Sequence, residues 1–415
     1  MVSTASSPPQ TASRSHGLSS ERLELIDTFL RDRYVDTGLL KGCVTLVWRR
    51  GEIAHLSALG QSDAERGQAM RTDSLFRIYS MTKPLTSVAF MMLVEQGLVA
   101  LDDPVSRYIP AWKDLGVYDG GFMETFRTRP TQRPMQIIDL LRHTSGLTYA
   151  FQQQTNIDAA YRKLGVGGGE PVGTLEGLIG ALAGLPLEFS PGTAWNYSVA
   201  TDVLGYLIGV ISDQPFEEFL RTRLIEPLGM ADTGFFAPPD KADRLATCYM
   251  LTPKGVVVYD DAQASPYRAP PAFASGGGGL VSTARDYLQF CRMILGKGSL
   301  EGHQYISPKT LQLIAANHLP GGADLKTLSR SMFSEAAYGG IGFGLGFATT
   351  LDPPTTLIPG SAGDLFWGGA ASTYFWIDPA EDLAVVFLTQ LVPSSAYPIR
   401  RQLRTLVYSA FTEAN

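Results

Sequence analysis

The segment LFRIYSMTKP, residues 75–84, decides the fold of this chain. Its first part, Leu75–Tyr79, is strand-like, and the following stretch Pro84–Gln96 has the apolar periodicity of a helix. Since proline is tolerated in the first helical turn, the sequence predicts Ser80 at the mouth of the helix and Lys83 one turn later on the same face. The lysine amine can then reach the serine hydroxyl.

Ser80-Met81-Thr82-Lys83 is the one S-x-x-K in the sequence. The positive end of a helix and apolar surroundings both disfavour the charged form of an amine, and a neutral lysine can accept the proton of a serine nucleophile. The same residues also suit a plainer arrangement, in which Ser80 caps the helix and Lys83 is a solvated charge. Four residues alone leave both interpretations open.

Tyr197 lies in a second segment of interest, Trp195-Asn196-Tyr197-Ser198-Val199, which follows the helix breaker Ser190-Pro191-Gly192. A loop tyrosine beside a lysine can act as a second base, because the positive charge favours its phenolate. The alternative is a core aromatic residue with a hydrogen-bonded hydroxyl.

Trp367-Gly368-Gly369-Ala370 leads into a predicted strand, Ser372–Ile377. Glycines at the start of a strand let another backbone or a ligand approach closely, and free amides there can point at a developing oxyanion. A bulge or a tight bend is the alternative.

His143 follows a predicted helix, Pro134–Arg142, for which Gly146 is the expected C-terminal stop. Because a cation suits a helix C-terminus, the sequence predicts a structural capping role for His143 rather than that of a general base. The glycine-rich stretches 275–279 and 342–347 complete no phosphate-binding motif and are predicted to be turns that allow close packing.

Both ends of the chain contain elements that suit one antiparallel sheet. The patterns predict helices at Glu21–Tyr34 and Pro398–Phe411, and strands at Cys43–Trp48, Ile53–Ala58, Ser372–Ile377 and Leu383–Thr389. Helical patterns dominate the stretch between these ends. The predicted fold class is α/β (α+β), an antiparallel sheet flanked by helices plus a mainly helical domain.

The predicted domain organisation places a flexible N-terminal segment at 1–19 and an α/β domain at 20–82 and 239–415. A mainly helical domain, 83–238, is inserted between the two parts of the α/β domain. The active site is expected at the interface of the two domains.

Composition and charge exclude several function classes. Forty acidic and 34 basic residues give a net charge of -6 without a long basic run, so nucleic acid is not an expected partner. The N-terminus has no apolar signal segment and no apolar run approaches a membrane span, so a soluble, cytoplasmic protein is expected. Cys43, Cys248 and Cys291 are isolated from one another and are expected to be buried, and no metal or cofactor is predicted.

Six segments in this order resemble the serine β-lactamase-like superfamily: SMTK (80–83), LLRHTSGL (140–147), SPGTAWNYS (190–198), GGGGLVSTARDYLQF (276–290), FGLGF (343–347) and WGG (367–369). The resemblance runs from about residue 20 to the C-terminus. It is greatest to the family VIII carboxylesterases, whose relatives include the class C β-lactamases. The lack of G-x-S-x-G in the sequence agrees, because that motif marks the α/β-hydrolase fold.

This resemblance implies a β-lactamase/transpeptidase-like fold with Ser80 as nucleophile and with Lys83 and Tyr197 as its acid and base. It also implies an oxyanion hole formed by the backbone amides of Ser80 and Ala370. The two bases titrate as a coupled pair, so their roles in the two half-reactions stay open.

Two departures from the β-lactamase pattern bear on the substrate. Tyr197-Ser198-Val199 stands where those enzymes typically have Tyr-x-Asn, and Trp367-Gly368-Gly369 stands where they have Lys-Thr-Gly. An amide for an acylamino group and a cation for a carboxylate are therefore missing. Both losses imply uncharged substrates, bound against Trp367, Gly368 and Gly369.

The predicted function is that of a serine carboxylesterase that hydrolyses small neutral esters through an acyl-enzyme on Ser80. A small-molecule ester is the expected partner, and no cofactor is needed. An amidase, D-peptidase, weak β-lactamase or acyltransferase with the same serine is the alternative among enzymes, and a non-catalytic binding protein of the same fold is the alternative from another class. The physiological ester and the oligomeric state stay open.

Overall fold

A computed structural model of the protein describes residues 17–168, 173–330 and 339–413. Most of the N-terminal segment that the sequence predicts to be flexible, residues 1–16, lies outside the described residues. The strands are β1 (Gly42–Arg49), β2 (Glu52–Asp63), β3 (Gln68–Ala69), β4 (Phe76–Arg77), β5 (Val117–Tyr118), β6 (Thr128–Arg129), β7 (Cys248–Thr252), β8 (Gly255–Asp260), β9 (Val281–Ser282), β10 (Ser299–Leu300), β11 (His303–Gln304), β12 (Ile341–Phe343), β13 (Ala348–Thr350), β14 (Leu365–Gly368), β15 (Tyr374–Asp378), β16 (Leu383–Thr389) and β17 (Leu391–Val392).

The α-helices within the described part of the chain include long amphipathic helices and short one-turn segments. They are α1 (Ser20–Leu30), α2 (Thr82–Glu95), α3 (Ile137–Leu141), α4 (Asn156–Leu164), α5 (Leu175–Ala183), α6 (Ala200–Ser212), α7 (Phe216–Leu220), α8 (Ala284–Leu295), α9 (Pro308–Ala315), α10 (Leu325–Leu328), α11 (Pro353–Thr356) and α12 (Ile399–Ser409). None of the helices in the described ranges is long and apolar enough to cross a membrane.

The main sheet has the strand order β12-β13-β14-β15-β16-β1-β2-β3, and each neighbouring pair is antiparallel. β1 pairs with β16 from Cys43 opposite Thr389 to Arg49 opposite Leu383. The prediction that the two ends of the chain share one antiparallel sheet is therefore confirmed.

The centre of this sheet is covered on both faces. All seven residues of β16 are buried, and alternate side chains point to opposite sides. Val385 and Phe387 pack in a core with α1 and α12, whereas Val386 and Leu388 belong to the larger core that contains α2 and α8. The sheet is thus buried between helices on both of its faces, which confirms the predicted α/β class.

Several predicted elements are confirmed, with small shifts at their ends. The β1–β2 hairpin, β16 and α12 lie where the sequence predicts them, although β2 continues to Asp63, five residues beyond its predicted end. Ser19 caps α1 by accepting a hydrogen bond from the Arg22 amide at 3.3 Å. The α-helical part of α1 ends at Leu30, and its last turn widens into a π-helix over Arg31–Val35. The three cysteines are buried and free, as expected.

Two predicted elements near the site are wrong in their bounds. The strand after the Trp-Gly-Gly segment begins at Tyr374 rather than Ser372, because Ser372 has a φ of 66°, which a strand cannot accommodate. Trp367 and Gly368 instead end a separate strand, β14. The helix before His143 is limited to α3, and Gly146 does not end it, because His143 already adopts a left-handed φ of 57°.

Candidate active site

Ser80 lies in a short 3-10 turn, Tyr79–Met81, between β4 and α2. Tyr79 has a φ of 43°, which turns the chain sharply from the strand into the helix. Lys83 is the second residue of α2, and its Nζ lies 3.2 Å from Ser80 Oγ. The structure thus brings the predicted serine and lysine into hydrogen-bond contact.

Lys83 is buried, with 1% of its surface exposed. Its Nζ donates a hydrogen bond to the carbonyl oxygen of Gly277 at 2.6 Å. The plainer interpretation of a solvated surface charge is therefore wrong. The glycine-rich turn that holds this carbonyl packs as closely as predicted, since a Cβ on Gly277 would lie 2.8 Å from Asp202 Oδ2 and 3.0 Å from Tyr149 Oη.

Asp202 is a buried carboxylate in α6 that the sequence analysis did not select. It accepts hydrogen bonds from Ser275 Oγ at 2.6 Å and from the Gly277 amide at 2.9 Å. Burial raises the pKa of the Asp202 carboxyl, and these hydrogen bonds together with the Lys83 charge oppose that rise. A lone charged residue in the otherwise apolar sequence of α6 was the signal that could have identified it.

Tyr197 lies on the loop before α6, where its ring faces the lysine. Lys83 Nζ lies 4.6 Å from the centroid of the Tyr197 ring, and Trp367 Nε1 donates to Tyr197 Oη at 3.3 Å. The Tyr149 ring lies 5.3 Å from that of Tyr197, and burial raises the pKa of Tyr149 well above its usual value. The predicted trio of Ser80, Lys83 and Tyr197 is thus brought together.

The Trp-Gly-Gly segment packs against the turn that carries Ser80. A Cβ on Gly369 would lie 2.4 Å from the carbonyl oxygen of Ile78, and one on Gly368 would lie 2.6 Å from Arg400 Cζ. Both glycines therefore permit the close approach of other groups that the sequence predicts here, while the role of the free amides as an oxyanion hole stays a prediction. Gly368, Gly369 and Ala370 line the same cavity as Ser80.

His143 lies at the end of α3 with a left-handed φ of 57°, where a structural capping residue was predicted, but the positive charge given as the reason for that role is wrong. Its imidazole is buried among aromatic rings, with centroid distances of 5.0 Å to Tyr197, 5.9 Å to Trp195 and 5.6 Å to Phe343. Burial, with a further contribution from the Lys83 charge, holds the pKa of His143 well below its usual value. The imidazole is therefore neutral. The residues that surround it are distant from it in the sequence, so its position beside the site was not predicted.

A cavity of about 700 Å³ opens over these residues. Ser80, Tyr197, Trp367 and Ala370 line it, and much of the remaining wall is apolar: Phe151, Leu178, Val199, Phe273, Ile358 and Phe366. Such a volume is typical of a small-molecule site that buries most of its ligand.

Comparisons with known proteins identify the family of the chain. The profile of the family described as Beta-lactamase matches residues 31–409. An uncharacterized protein of Mycobacterium tuberculosis is 39% identical over 361 residues, which cover 86% of this chain and 88% of that protein. Esterase EstB of Burkholderia gladioli is 31% identical, with 98% of this chain and 100% of EstB covered.

A solved structure of a hydrolase is also similar to this chain. The structure described as EstCE1, a hydrolase with promiscuous acyltransferase activity, matches with a TM-score of 0.79 and 29% identity. The match covers 94% of this chain and 99% of that one.

Proposed function

This chain belongs to the beta-lactamase family and is a serine hydrolase, and from that premise we propose that it is a carboxylesterase acting on small neutral esters. The observation that carries the proposal is the 3.2 Å contact between Ser80 Oγ and the buried amine of Lys83 beside a largely apolar cavity. The whole-length similarity to an esterase supports the same reaction class.

In the proposed acylation, Ser80 Oγ bonds to the ester carbonyl carbon and its proton passes to the Lys83 and Tyr197 pair. The backbone amides of Ser80 and Ala370 hold the oxyanion. The bond from carbon to the alcohol oxygen then breaks, and the leaving alkoxide takes the proton. Ser80 is left as an acyl ester.

Deacylation repeats these steps with water as the nucleophile. Water adds to the acyl carbon while the same pair takes a proton from it, and the bond to Ser80 Oγ breaks as that oxygen is reprotonated. The carboxylic acid leaves and the free enzyme is restored. Lys83 and Tyr197 share this work as a coupled pair.

The preference for neutral esters rests on Trp367, which lines the cavity where β-lactamases typically carry a lysine. A substrate carboxylate placed against Trp367 would lose hydration without gaining a cation from that residue, which is unfavourable. The Arg400 guanidinium also lines the cavity, but it already donates to the carbonyl oxygens of Gly369 and Thr373. The indole instead offers an apolar surface to an acyl or alkoxy group, a contact worth on the order of 1 to 3 kcal/mol.

Acyl transfer to an alcohol is the second candidate, and the size of the cavity favours it. A volume of about 700 Å³ exceeds what a short-chain ester fills, so an alcohol has room to reach the acyl-enzyme in place of water. The EstCE1 structure is described as that of a hydrolase with promiscuous acyltransferase activity. Product analysis with added alcohols separates transfer from hydrolysis.

A serine-directed fluorophosphonate tests the proposal. We expect one adduct by intact mass, on the peptide that contains Ser80, and we expect Ser80→Ala to lose both the adduct and the turnover of p-nitrophenyl butyrate. A panel of esters, amides and β-lactams assayed on the same preparation defines the reaction class. Labelling of a different serine contradicts the mechanism.

A further inference from the structure

His143 contacts three consecutive residues of the segment that carries Tyr197. Its carbonyl oxygen accepts a hydrogen bond from the Asn196 amide at 3.0 Å, its ring packs 5.0 Å from the ring of Tyr197, and its Nδ1 lies 3.1 Å from Ser198 Oγ. One residue therefore touches the backbone before the tyrosine, the tyrosine itself and the side chain after it.

The Ser198 hydroxyl connects this contact to the rest of the fold. It also accepts a hydrogen bond from the Ala200 amide, the first residue of α6, at 3.3 Å. α6 packs against α2, the helix that carries Lys83. The hydroxyl thus joins the imidazole to the helix that begins directly after the tyrosine's loop.

Both partners are closed to a substrate. His143 is 1% exposed and Ser198 is fully buried. Neither side chain belongs to the described lining of the cavity, and the imidazole hydrogen-bonds Ser198, whereas the equally buried Lys83 hydrogen-bonds Ser80 itself. What they can do is fix where the Tyr197 ring lies relative to Lys83.

We propose that His143 is a positioning residue for Tyr197 and acts through its hydrogen bond with Ser198. This inference rests on the proposed function, since it assigns Tyr197 to the proton-transfer pair. A misplacement of about 1 Å in a reacting group can cost on the order of 100-fold in rate. Loss of the hydrogen bond is expected to reduce turnover while leaving substrate binding nearly intact.

Two single variants remove the hydrogen bond from opposite sides. His143→Phe keeps a ring against Tyr197 but has no nitrogen for Ser198, and Ser198→Ala keeps the imidazole but has no hydroxyl. We expect each to slow the labelling of Ser80 by a fluorophosphonate about 10- to 100-fold and to lower kcat on p-nitrophenyl butyrate to the same degree, with KM within about twofold. The double variant should be no slower than the singles, because both remove one interaction.

A third variant and a control separate positioning from general destabilisation. His143→Asn suits a φ of 57° and carries a polar atom at the place of Nδ1, so it should recover most of the labelling rate. Ser62→Ala removes a similarly buried hydroxyl, one that donates to the Ala69 carbonyl at 3.2 Å, and should leave the rate unchanged. Thermal unfolding of every variant, with labelling measured well below each midpoint, keeps the folded fraction constant.

The outcomes distinguish this inference from the function on which it rests. If the wild-type protein takes no label on Ser80, the proposed function fails and the positioning role fails with it. If the wild-type protein is labelled but His143→Phe and Ser198→Ala react at its rate, only the positioning role is wrong. Independent losses that multiply in the double variant also overturn it.

Discussion

Lys83 and Tyr197 contact each other but have different surroundings. Hydrogen-bonding groups surround the lysine amine, whereas aromatic rings surround the tyrosine. The polar side consists of Gly277, Asp202 and Ser275, linked by hydrogen bonds of 2.6 to 2.9 Å that lead to the lysine. The aromatic side surrounds the tyrosine with the rings of His143, Tyr149, Trp195 and Trp367.

This difference bears on how each group tolerates change. A hydrogen bond is directional and fails when one atom is altered, whereas ring packing is spread over many weak contacts. We therefore expect one-atom changes on the polar side to be more harmful than changes of similar size on the aromatic side.

Removal of the two groups themselves should give the largest effect. Lys83→Ala and Tyr197→Phe are each expected to lower kcat by about 1,000-fold or more, because members of one proton-transfer unit fail singly almost as fully as together. Single-turnover kinetics with p-nitrophenyl butyrate measure both steps. If either variant kept more than about a tenth of wild-type turnover, that residue would not belong to the pair.

Asp202→Asn tests the polar side at a single atom. Both hydrogen bonds end on Asp202 Oδ1, which the amide oxygen of asparagine can replace, so the acceptor is kept but its negative charge is lost. Hydrogen bonds to a charged acceptor are stronger than those to a neutral one, so this network holds the Gly277 carbonyl against Lys83 less firmly, at a cost of about 1 to 3 kcal/mol. We expect kcat to fall about 10- to 100-fold by steady-state assay.

Asp286→Asn is the matched control for that change. Asp286 is a buried carboxylate that accepts from the Asp232 amide at 2.7 Å and from Thr233 Oγ1 at 2.9 Å, and burial raises its pKa as it does for Asp202. This variant should lose a similar amount of stability in urea without the loss of turnover. Equal kinetic effects in the two variants would contradict a specific role for the polar side.

Trp367 tests the aromatic side through selectivity. The wild-type protein should have a far higher kcat/KM for p-nitrophenyl butyrate than for a penicillin, and Trp367→Lys should narrow that ratio by roughly 10- to 200-fold by weakening ester turnover more. Slow opening of cephalosporins is compatible with this view. A wild-type kcat/KM for a penicillin that equals or exceeds the value for the ester would contradict this view.

The smallest expected effect is the pH dependence of stability that comes from the titration of His143. Its pKa in the folded protein is lowered by burial and then by Lys83, the charged group that faces it, while Tyr197 and Ser198 are its other polar neighbours. The unfolded chain takes up a proton near pH 6.5 and the folded chain does not, so stability present above that pH is lost as the pH falls below it.

Urea unfolding at pH 7.5 and 5.5 measures this loss. The decrease in unfolding free energy should be about 1 kcal/mol larger for the wild-type protein than for His143→Asn, which has no imidazole to titrate. His303→Asn, at an exposed histidine in β11, should behave like the wild-type protein. An identical decrease in the wild-type protein and in His143→Asn would mean that the buried imidazole takes up its proton in the folded state too.

The sequence predicts what depends on local geometry and misses what depends on distant partners. The contact of Ser80 with Lys83 was predictable because residues three apart at the start of a helix lie on the same face, whatever the rest of the chain does. β16 was predictable because a short, fully apolar run suits a strand buried on both faces.

His143 and Asp202 show where such reasoning ends. The neighbours of His143 in the sequence suggested a helix end, but two residues that its ring contacts, Ser198 and Phe343, are 55 and 200 residues away in the chain. Asp202 gave a signal that was not used, a single charge in an apolar helix. Trp367 lies in the same cavity as Ser80, and its contact with a substrate stays a prediction. The strand that carries it was not foreseen because β14 is four residues long.

The pairing of β1 with β16 constrains how the protein can be made. Cys43 lies opposite Thr389, so the central ladder of the sheet cannot close on the ribosome until the last strands have left the exit tunnel. Loop closure between strands so far apart in the sequence is slow. The edge of β1 that pairs with β16 therefore stays unpaired while the intervening chain is synthesised. The turn that carries Ser80 packs against Gly369, which also emerges late. Any chain released early should therefore be inactive and prone to aggregation, and chaperone demand during synthesis should be greatest before residue 389 appears.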